Sequence, residues 1–233
     1  MKNHLIYTIL LASCLVACGV QSGWTEEESS LIMDSPAVMR VLGVDDRSDS
    51  LVLRKVSSFI PERELNGEIL RTLSEKLIAT VTSPEQDGVG IAGPQVGISR
   101  RIVAVQRFDK EGEPFEVYPN IRIVATKGEK TCGPEGCLSV PGRRGEVPRF
   151  RDIDITYSVS AAKDTTETVT GFTAVIFQHE CDHLDGILYT DRAVQSFFQP
   201  ALKGSDEQKA DTVRGNLIEL SENPATTYST PEN

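Results

Sequence analysis

Two histidines and a glutamate close together in the chain form its most informative chemical group. His179, Glu180 and His183 fit the pattern His-Glu-x-x-His, and the chain contains only one further histidine. Residues four positions apart on a helix share a face, so both imidazoles can bind one metal ion while the glutamate takes the proton of a metal-bound water. The pattern therefore predicts a metallohydrolase site. Such a site needs a third protein ligand from another part of the chain.

Two upstream segments carry residues that suit such a site. Residues 88–95 read Gly-Val-Gly-Ile-Ala-Gly-Pro-Gln, and residues 135–139 read Glu-Gly-Cys-Leu-Ser. The His-Glu-x-x-His pattern alone leaves several metalloprotease families open, and a glycine-rich loop is more often a simple turn. In this order, however, the three segments closely resemble the signature motifs of the peptide deformylase family. Members of that family are metal-dependent amidases that remove the formyl group from the N-terminal methionine of new polypeptides. The resemblance extends over residues 37–198.

The resemblance makes Cys137 the third metal ligand beside His179 and His183, with one open position for water. A thiolate and two imidazoles suit zinc by softness and geometry. Deformylases of this pattern nevertheless generally work with iron, so we predict Fe²⁺ as the native ion and Zn²⁺ or Ni²⁺ as replacements.

The resemblance also assigns the remaining catalytic roles. Glu180 is the general base that takes the water proton and later passes it to the departing amine. The side-chain amide of Gln95 and the backbone N–H of Leu138 stabilise the oxyanion. The main chain at Val89 and Gly90 pairs with an extended formyl-Met peptide as an added strand.

Three details of the motifs lead to separate expectations. Gly93 stands where alanine is commoner in the family. The missing methyl is expected to loosen local packing, which would lower stability by less than about 1 kcal/mol. Arg149 could pair with Glu135 or could equally be a solvated surface residue. A disulfide between Cys132 and Cys137 would remove a metal ligand, which is a hazard in an oxidising compartment.

Two other functions compete with deformylation. One is an exported metalloamidase that acts on other small acylated peptides. The other is a non-catalytic lipoprotein that binds a metal or a peptide. The presence of every residue that the chemistry needs argues against the second: Gln95, Cys137, His179, Glu180 and His183.

The hydrophobic pattern and the resemblance indicate an α+β fold of the deformylase type, with antiparallel or mixed β-sheets packed around a central helix that carries the His-Glu-x-x-His residues. Apolar residues at helical spacing predict a helix over 65–81. A second helix is predicted to begin after Gly171 and to end before Gly186, since glycine favours helix ends. Strands are predicted over 101–106, 116–125 and 153–159.

The N-terminal residues predict export. Lys2 precedes an apolar run that ends Leu-Val-Ala-Cys-Gly, which resembles a bacterial lipoprotein signal with Cys18 as the lipidated residue. We therefore expect a membrane-anchored protein outside the cytoplasm. The alternatives are an uncleaved anchor, or translation from Met33 and a cytoplasmic protein. The predicted organisation is a signal over 1–18, a flexible tether over 19–36, a catalytic domain over 37–200, and a polar C-terminal tail over 201–233 with one possible helix.

The composition limits the possible partners. The 233 residues are 39% hydrophobic, enough for a core, and carry a formal net charge of −10. An acidic chain of this kind is not expected to bind nucleic acid. We expect a monomer whose partner is its peptide substrate.

Overall fold

The computed structural model describes residues 23–160 and 163–198. In this part of the chain the α-helices are α1 (Glu26–Asp34), α2 (Arg47–Leu53), α3 (Glu68–Val81) and α4 (Gly171–Leu184). The strands are β1 (Gly90–Ala92), β2 (Ile102–Gln106), β3 (Phe115–Pro119), β4 (Arg122–Cys137), β5 (Val140–Ser160), β6 (Lys163–Thr170) and β7 (Gln195–Phe198). Short 3-10 turns lie at Glu62–Glu64, Gly93–Val96 and Tyr189–Asp191.

The strands form two antiparallel sheets. The first has the order β1-β2-β3, so β1 is an edge strand. The second has the order β4-β5-β6, and β7 pairs with one end of the long strand β5. The α+β prediction is therefore confirmed, with antiparallel pairing throughout the described sheets.

Helix α4 packs against both sheets, because its apolar residues Ile176 and Phe177 join one core with Val103 of β2 and Ile153 of β5. Gly171 at its start and Gly186 just beyond its end have positive φ angles of 65° and 71°. The predicted glycine stop is confirmed, since such angles favour glycine. The same helix carries His179, Glu180 and His183.

The helix predicted over 65–81 is present as α3, although it begins three residues later. The residues predicted as one strand over 116–125 instead belong to two strands, because the chain turns between β3 and β4. Asn120 adopts a left-handed φ of 58° there, and its side chain bonds the backbone N–H of Ile60 at 2.7 Å and donates to the Ile60 carbonyl at 2.9 Å. The strand prediction for 153–159 is confirmed as part of β5.

The flexible tether predicted over 19–36 is wrong for its described part, because residues 26–34 form α1. Thr25 caps this helix: its hydroxyl accepts from the backbone N–H of Glu28, and its own backbone N–H donates to the Glu28 carboxylate. Ile32 is fully buried, and the Lys76 ammonium of α3 donates to the Ser35 carbonyl at 2.6 Å. The folded part thus begins well before residue 37.

The predicted signal over 1–18 and tail over 201–233 lie outside the described residues, as do residues 19–22. Among the residues that are described, no helix has the length and apolar character needed to cross a bilayer.

Candidate metal centre

Cys137, His179 and His183 meet at one point. Cys137 ends strand β4, while both histidines project from α4, and one ligand atom from each lies within 4.8 Å of the others. The Cys137 sulfur is 3.2 Å from Nε2 of His183. A thiolate and two imidazoles form a donor set that fits a divalent metal ion and leaves a position open in tetrahedral coordination.

The hairpin between β4 and β5 places the cysteine. The regular pairing shifts between Gly136 and Cys137, and Cys137 then pairs with Val140 across a two-residue connection. This irregularity bends the end of β4, as bulges do. The sequence could not show the bend, because the glycine before the cysteine is compatible with several turns.

A chain of charged groups, buried except for Arg192, orients His179. Its Nδ1 lies 2.8 Å from Oε2 of Glu135, which leaves Nε2 available as a metal ligand. Arg149 donates to both oxygens of Glu135, at 2.8 and 3.1 Å, and to Asp182 at 2.6 Å. Arg192 in turn donates twice to Asp182, each time at 2.6 Å. Of the two expectations for Arg149, the pairing with Glu135 is therefore correct.

The charged groups of this network lower the pKa of Glu135. Burial alone would raise that pKa, but hydrogen bonds from His179 and Arg149 lower it to about 2. Sequence reasoning missed the contributions of Asp182 and Arg192. Asp182 follows His179 by three positions on the helix, and this spacing was the available signal.

Glu180 is 4% exposed and lies against strand β1. A Cβ atom added to Gly90 would be 2.6 Å from its Oε1 and 2.8 Å from Cγ2 of Ile176. The other oxygen, Oε2, is buried and has no hydrogen-bond partner among the described residues. Burial raises the pKa of this carboxyl to about 7. A buried carboxyl with one free oxygen is suited to exchange protons with a substrate or a water.

Gln95 brings the glycine-rich segment to the cysteine. Its Oε1 accepts from the backbone N–H of Ala92 at 2.8 Å, which fixes the side chain. Its Nε2 donates to the Ser139 hydroxyl at 3.2 Å and lies 3.7 Å from the Cys137 sulfur. Leu138 is between these two residues in the chain. Sequence reasoning missed Ser139, although it closes the motif that contains Cys137.

Val89 and Gly90 lie at the edge of the first sheet. The Val89 carbonyl accepts from Gln106 at 2.8 Å, and Gly90 pairs with Val105. Within the described residues, β1 pairs only with β2, so its second edge has no strand beside it. All three sequence motifs therefore come together at the metal centre.

Two of the expectations about these motifs are wrong. A Cβ on Gly93 would lie 2.7 Å from the Ile98 carbonyl and 2.9 Å from the Arg100 carbonyl, so there is no space that a methyl group has vacated. Cys132 and Cys137 are five residues apart on strand β4, or about 16 Å at 3.3 Å per residue, whereas disulfides need Cα atoms within roughly 7 Å. Both thiols are free.

Three metal-binding side chains around one point, beside a buried carboxylate and a fixed amide, define a metal-dependent hydrolase. Residues 39–197 match the family model described as polypeptide deformylase. The chain belongs to this family, whose members are metallohydrolases that remove the formyl group from the N-terminal methionine of nascent polypeptides. The alternative of another acylated substrate and the alternative of a non-catalytic protein are not favoured.

Curated relatives and solved structures agree with the family match. The chain is 37% identical to the peptide deformylase of Symbiobacterium thermophilum over 69% of its own length and 70% of the relative. It is 42% identical to that of Desulforudis audaxviator over 56% of its own length and 81% of the relative. The structure of a class I type b peptide deformylase from Acinetobacter baumannii superposes with a TM-score of 0.59 at 35% identity, covering 66% of this chain and 99% of that one. That of Thermotoga maritima gives a TM-score of 0.58 at 33% identity, covering 67% and 97%.

Proposed function

We propose that this protein hydrolyses N-formyl-methionyl peptides with an Fe²⁺ ion held by Cys137, His179 and His183. The observation that carries the proposal is the meeting of these three ligand atoms within 4.8 Å of one another. Imidazole and thiolate ligands are compatible with iron as well as with zinc, and deformylases of this pattern generally work with iron. Zn²⁺ and Ni²⁺ are the expected replacements.

The ion, when bound, supplies Lewis-acid chemistry that acidifies water and polarises a carbonyl. Glu180 accepts the proton of the attacking water at a carboxylate oxygen and delivers it to the nitrogen of the departing amine. The Nε2 amide of Gln95 and the backbone N–H of Leu138 donate to the oxyanion, and losing one such donor typically costs about 2.7 to 4 kcal/mol of barrier. No acyl-enzyme is required.

The free edge of β1 binds the peptide. Backbone groups at Val89 and Gly90 pair with the extended substrate, which directs its N-terminus toward the metal centre. A deformylase structure from Acinetobacter baumannii contains bound Met-Ala-Ser, and this supports a short peptide as the ligand.

The test uses formyl-Met-Ala-Ser as the substrate. Residues 19–233 are produced anaerobically with Fe²⁺, metal content is measured by mass spectrometry, and formate release is followed. We expect about one ion per chain and rapid release, while Glu180→Gln retains the ion and loses most activity. Acetyl-Met-Ala-Ser serves as the substrate control. A protein that holds its ion and releases no formate would contradict the proposal.

We also propose that Cys18 is lipidated and that the enzyme is anchored to a membrane outside the cytoplasm. The described fold supports a start upstream of Met33. Translation from Met33 would delete Trp24, Glu28 and Ile32, the last of which is fully buried. It would also leave the Arg100 guanidinium, 5% exposed, without its carboxylate partner. A cytoplasmic protein that begins at Met33 would therefore lack part of its own core.

The test of location is metabolic labelling with a radioactive fatty acid in the native host. We expect label in the wild-type chain and none in Cys18→Ser, together with release of Cys18→Ser from the membrane fraction. An unlabelled wild-type chain in the soluble cytoplasmic fraction would rule out the anchor.

A further inference from the structure

Helix α1 precedes the matched residues 39–197 and nevertheless is bound tightly to the domain. One of its contacts is an ion pair between Glu28 and Arg100. The Arg100 Nε donates to Glu28 at 2.7 Å and its Nη2 donates at 2.6 Å. The same guanidinium donates to the Gly23 carbonyl at 2.8 Å and lies 5.4 Å from the centre of the Trp24 ring. Three residues of the N-terminal segment, Gly23, Trp24 and Glu28, thus contact the Arg100 guanidinium.

Arg100 belongs to the segment that supports the turn with Gln95. The turn occupies Gly93–Val96, and Ile98 donates its N–H to the Gly93 carbonyl at 3.0 Å. The carbonyls of Ile98 and Arg100 lie against Gly93, at 2.7 and 2.9 Å from the position of a Cβ. Movement of Arg100 would therefore be transmitted to the backbone just before Gln95.

A second contact from α1 reaches the other end of this turn. Gly97 ends the turn with a φ of 86°, and Cδ2 of Leu31 lies 3.1 Å from where a Gly97 Cβ would be. Helix α1 consequently touches the turn through Leu31 and its supporting segment through Glu28. The Gln95 side chain between them is itself 1% exposed, so its amide has little freedom once the backbone is fixed.

We propose that α1 is a positioning element of the catalytic site, in which Glu28 and Leu31 hold the turn that places the Gln95 amide. The inference rests on the proposed oxyanion role of Gln95. Preorganised donors stabilise a transition state only if they already point at the developing charge. Small misplacements of catalytic groups lower rates strongly. Residues outside the matched family region therefore contribute to turnover without touching the substrate.

The decisive variant is Glu28→Gln, with Glu27→Gln as its matched control. Both substitutions remove one negative charge from the first turn of α1, and glutamine can keep the capping interaction with Thr25. Only Glu28 is bonded to Arg100, while Glu27 is exposed. For formyl-Met-Ala-Ser we expect kcat to fall about tenfold in Glu28→Gln with KM nearly unchanged, and we expect no change in Glu27→Gln.

A double-mutant cycle with Gln95→Ala separates positioning from general destabilisation. If Glu28 acts through Gln95, Glu28→Gln will have no further effect on kcat in the Gln95→Ala background. An equal loss of kcat in both backgrounds would overturn the inference. Gln95→Ala by itself tests the oxyanion role. An unchanged kcat there would refute that role independently of α1.

If Glu28→Gln does not fold, Leu31→Ala takes its place in the double-mutant cycle with Gln95→Ala. Leu31 is 41% exposed, so its truncation is tolerable, and Leu51→Ala on α2, 63% exposed, is the control. We expect a reduced kcat for Leu31→Ala that is absent when Gln95 is alanine. If Leu31→Ala leaves kcat at the wild-type value, α1 has no positioning role. All assays are run at least 15 °C below the measured Tm of each variant.

Discussion

Gly90 and Glu180 are so close that no side chain fits between them: a Cβ on Gly90 would lie 2.6 Å from the Glu180 carboxylate. The main chain at Gly90 was expected to pair with the peptide, and the structure adds that the Glu180 carboxylate leaves no room for a side chain at this position. We predict that Gly90→Ala displaces Glu180 and lowers kcat at least tenfold, since misplaced catalytic groups lose rate steeply. The assay is formate release, with metal content measured in parallel. Gly43→Ala, where nothing lies within 4 Å of the new atom, should behave as wild type.

Gly93→Ala should destabilise the fold, although alanine is the commoner residue in the family. The added methyl meets two backbone carbonyls that cannot rotate away. Overpacking of this kind typically costs about 1 to 3 kcal/mol. Urea unfolding measures the loss, and Gly133→Ala, whose Cβ is unobstructed, is the control. Equal midpoints for the two variants would show that the Ile98 to Arg100 segment adjusts freely.

Glu135→Gln should weaken metal binding without removing a ligand. The change leaves a neutral partner for His179 and takes away the charge that balances the buried Arg149. Loss of such an outer partner typically lowers metal affinity about 10- to 100-fold. The measurement is the rate at which a chelator removes the ion, determined from the metal content that remains in the protein over time. Glu129→Gln on the same strand is exposed and should lose its ion at the wild-type rate.

The ion pair between Glu28 and Arg100 should make stability depend on acid pH. Burial raises the pKa of Glu28, but hydrogen bonds from Arg100 and Thr25 outweigh it and lower the pKa below its usual value. A carboxylate with a lowered folded pKa stabilises the fold above its unfolded pKa of about 4.3 and loses this contribution as pH falls through the folded value. Glu28→Gln should therefore cost about 1 to 3 kcal/mol at pH 7. The difference between variant and wild type in urea unfolding should shrink toward pH 3, whereas a constant difference would contradict the assignment.

The sequence predicted α4 and its two histidines well, because the His-Glu-x-x-His spacing and the glycine at its end are local signals, whereas Cys137 came only from the resemblance to the family. It failed where distant residues determine the structure. Helix α1 is polar and acidic, and it is stabilised by Lys76 and Arg100, which lie far along the chain. Asn120 breaks a continuous β-like run because its side chain bonds Ile60. Such contacts have no periodicity that a single sequence can reveal.

The docking of α1 also shortens the connection between the enzyme and Cys18, the proposed site of lipidation. The described fold begins at Gly23, so four residues, 19–22, separate it from Cys18, where a tether over 19–36 was expected. Five residue steps span at most about 18 Å when fully extended. If Cys18 carries the lipid that we propose, this connection would hold the catalytic domain close to the bilayer surface. The enzyme would then act on peptides that come to that surface.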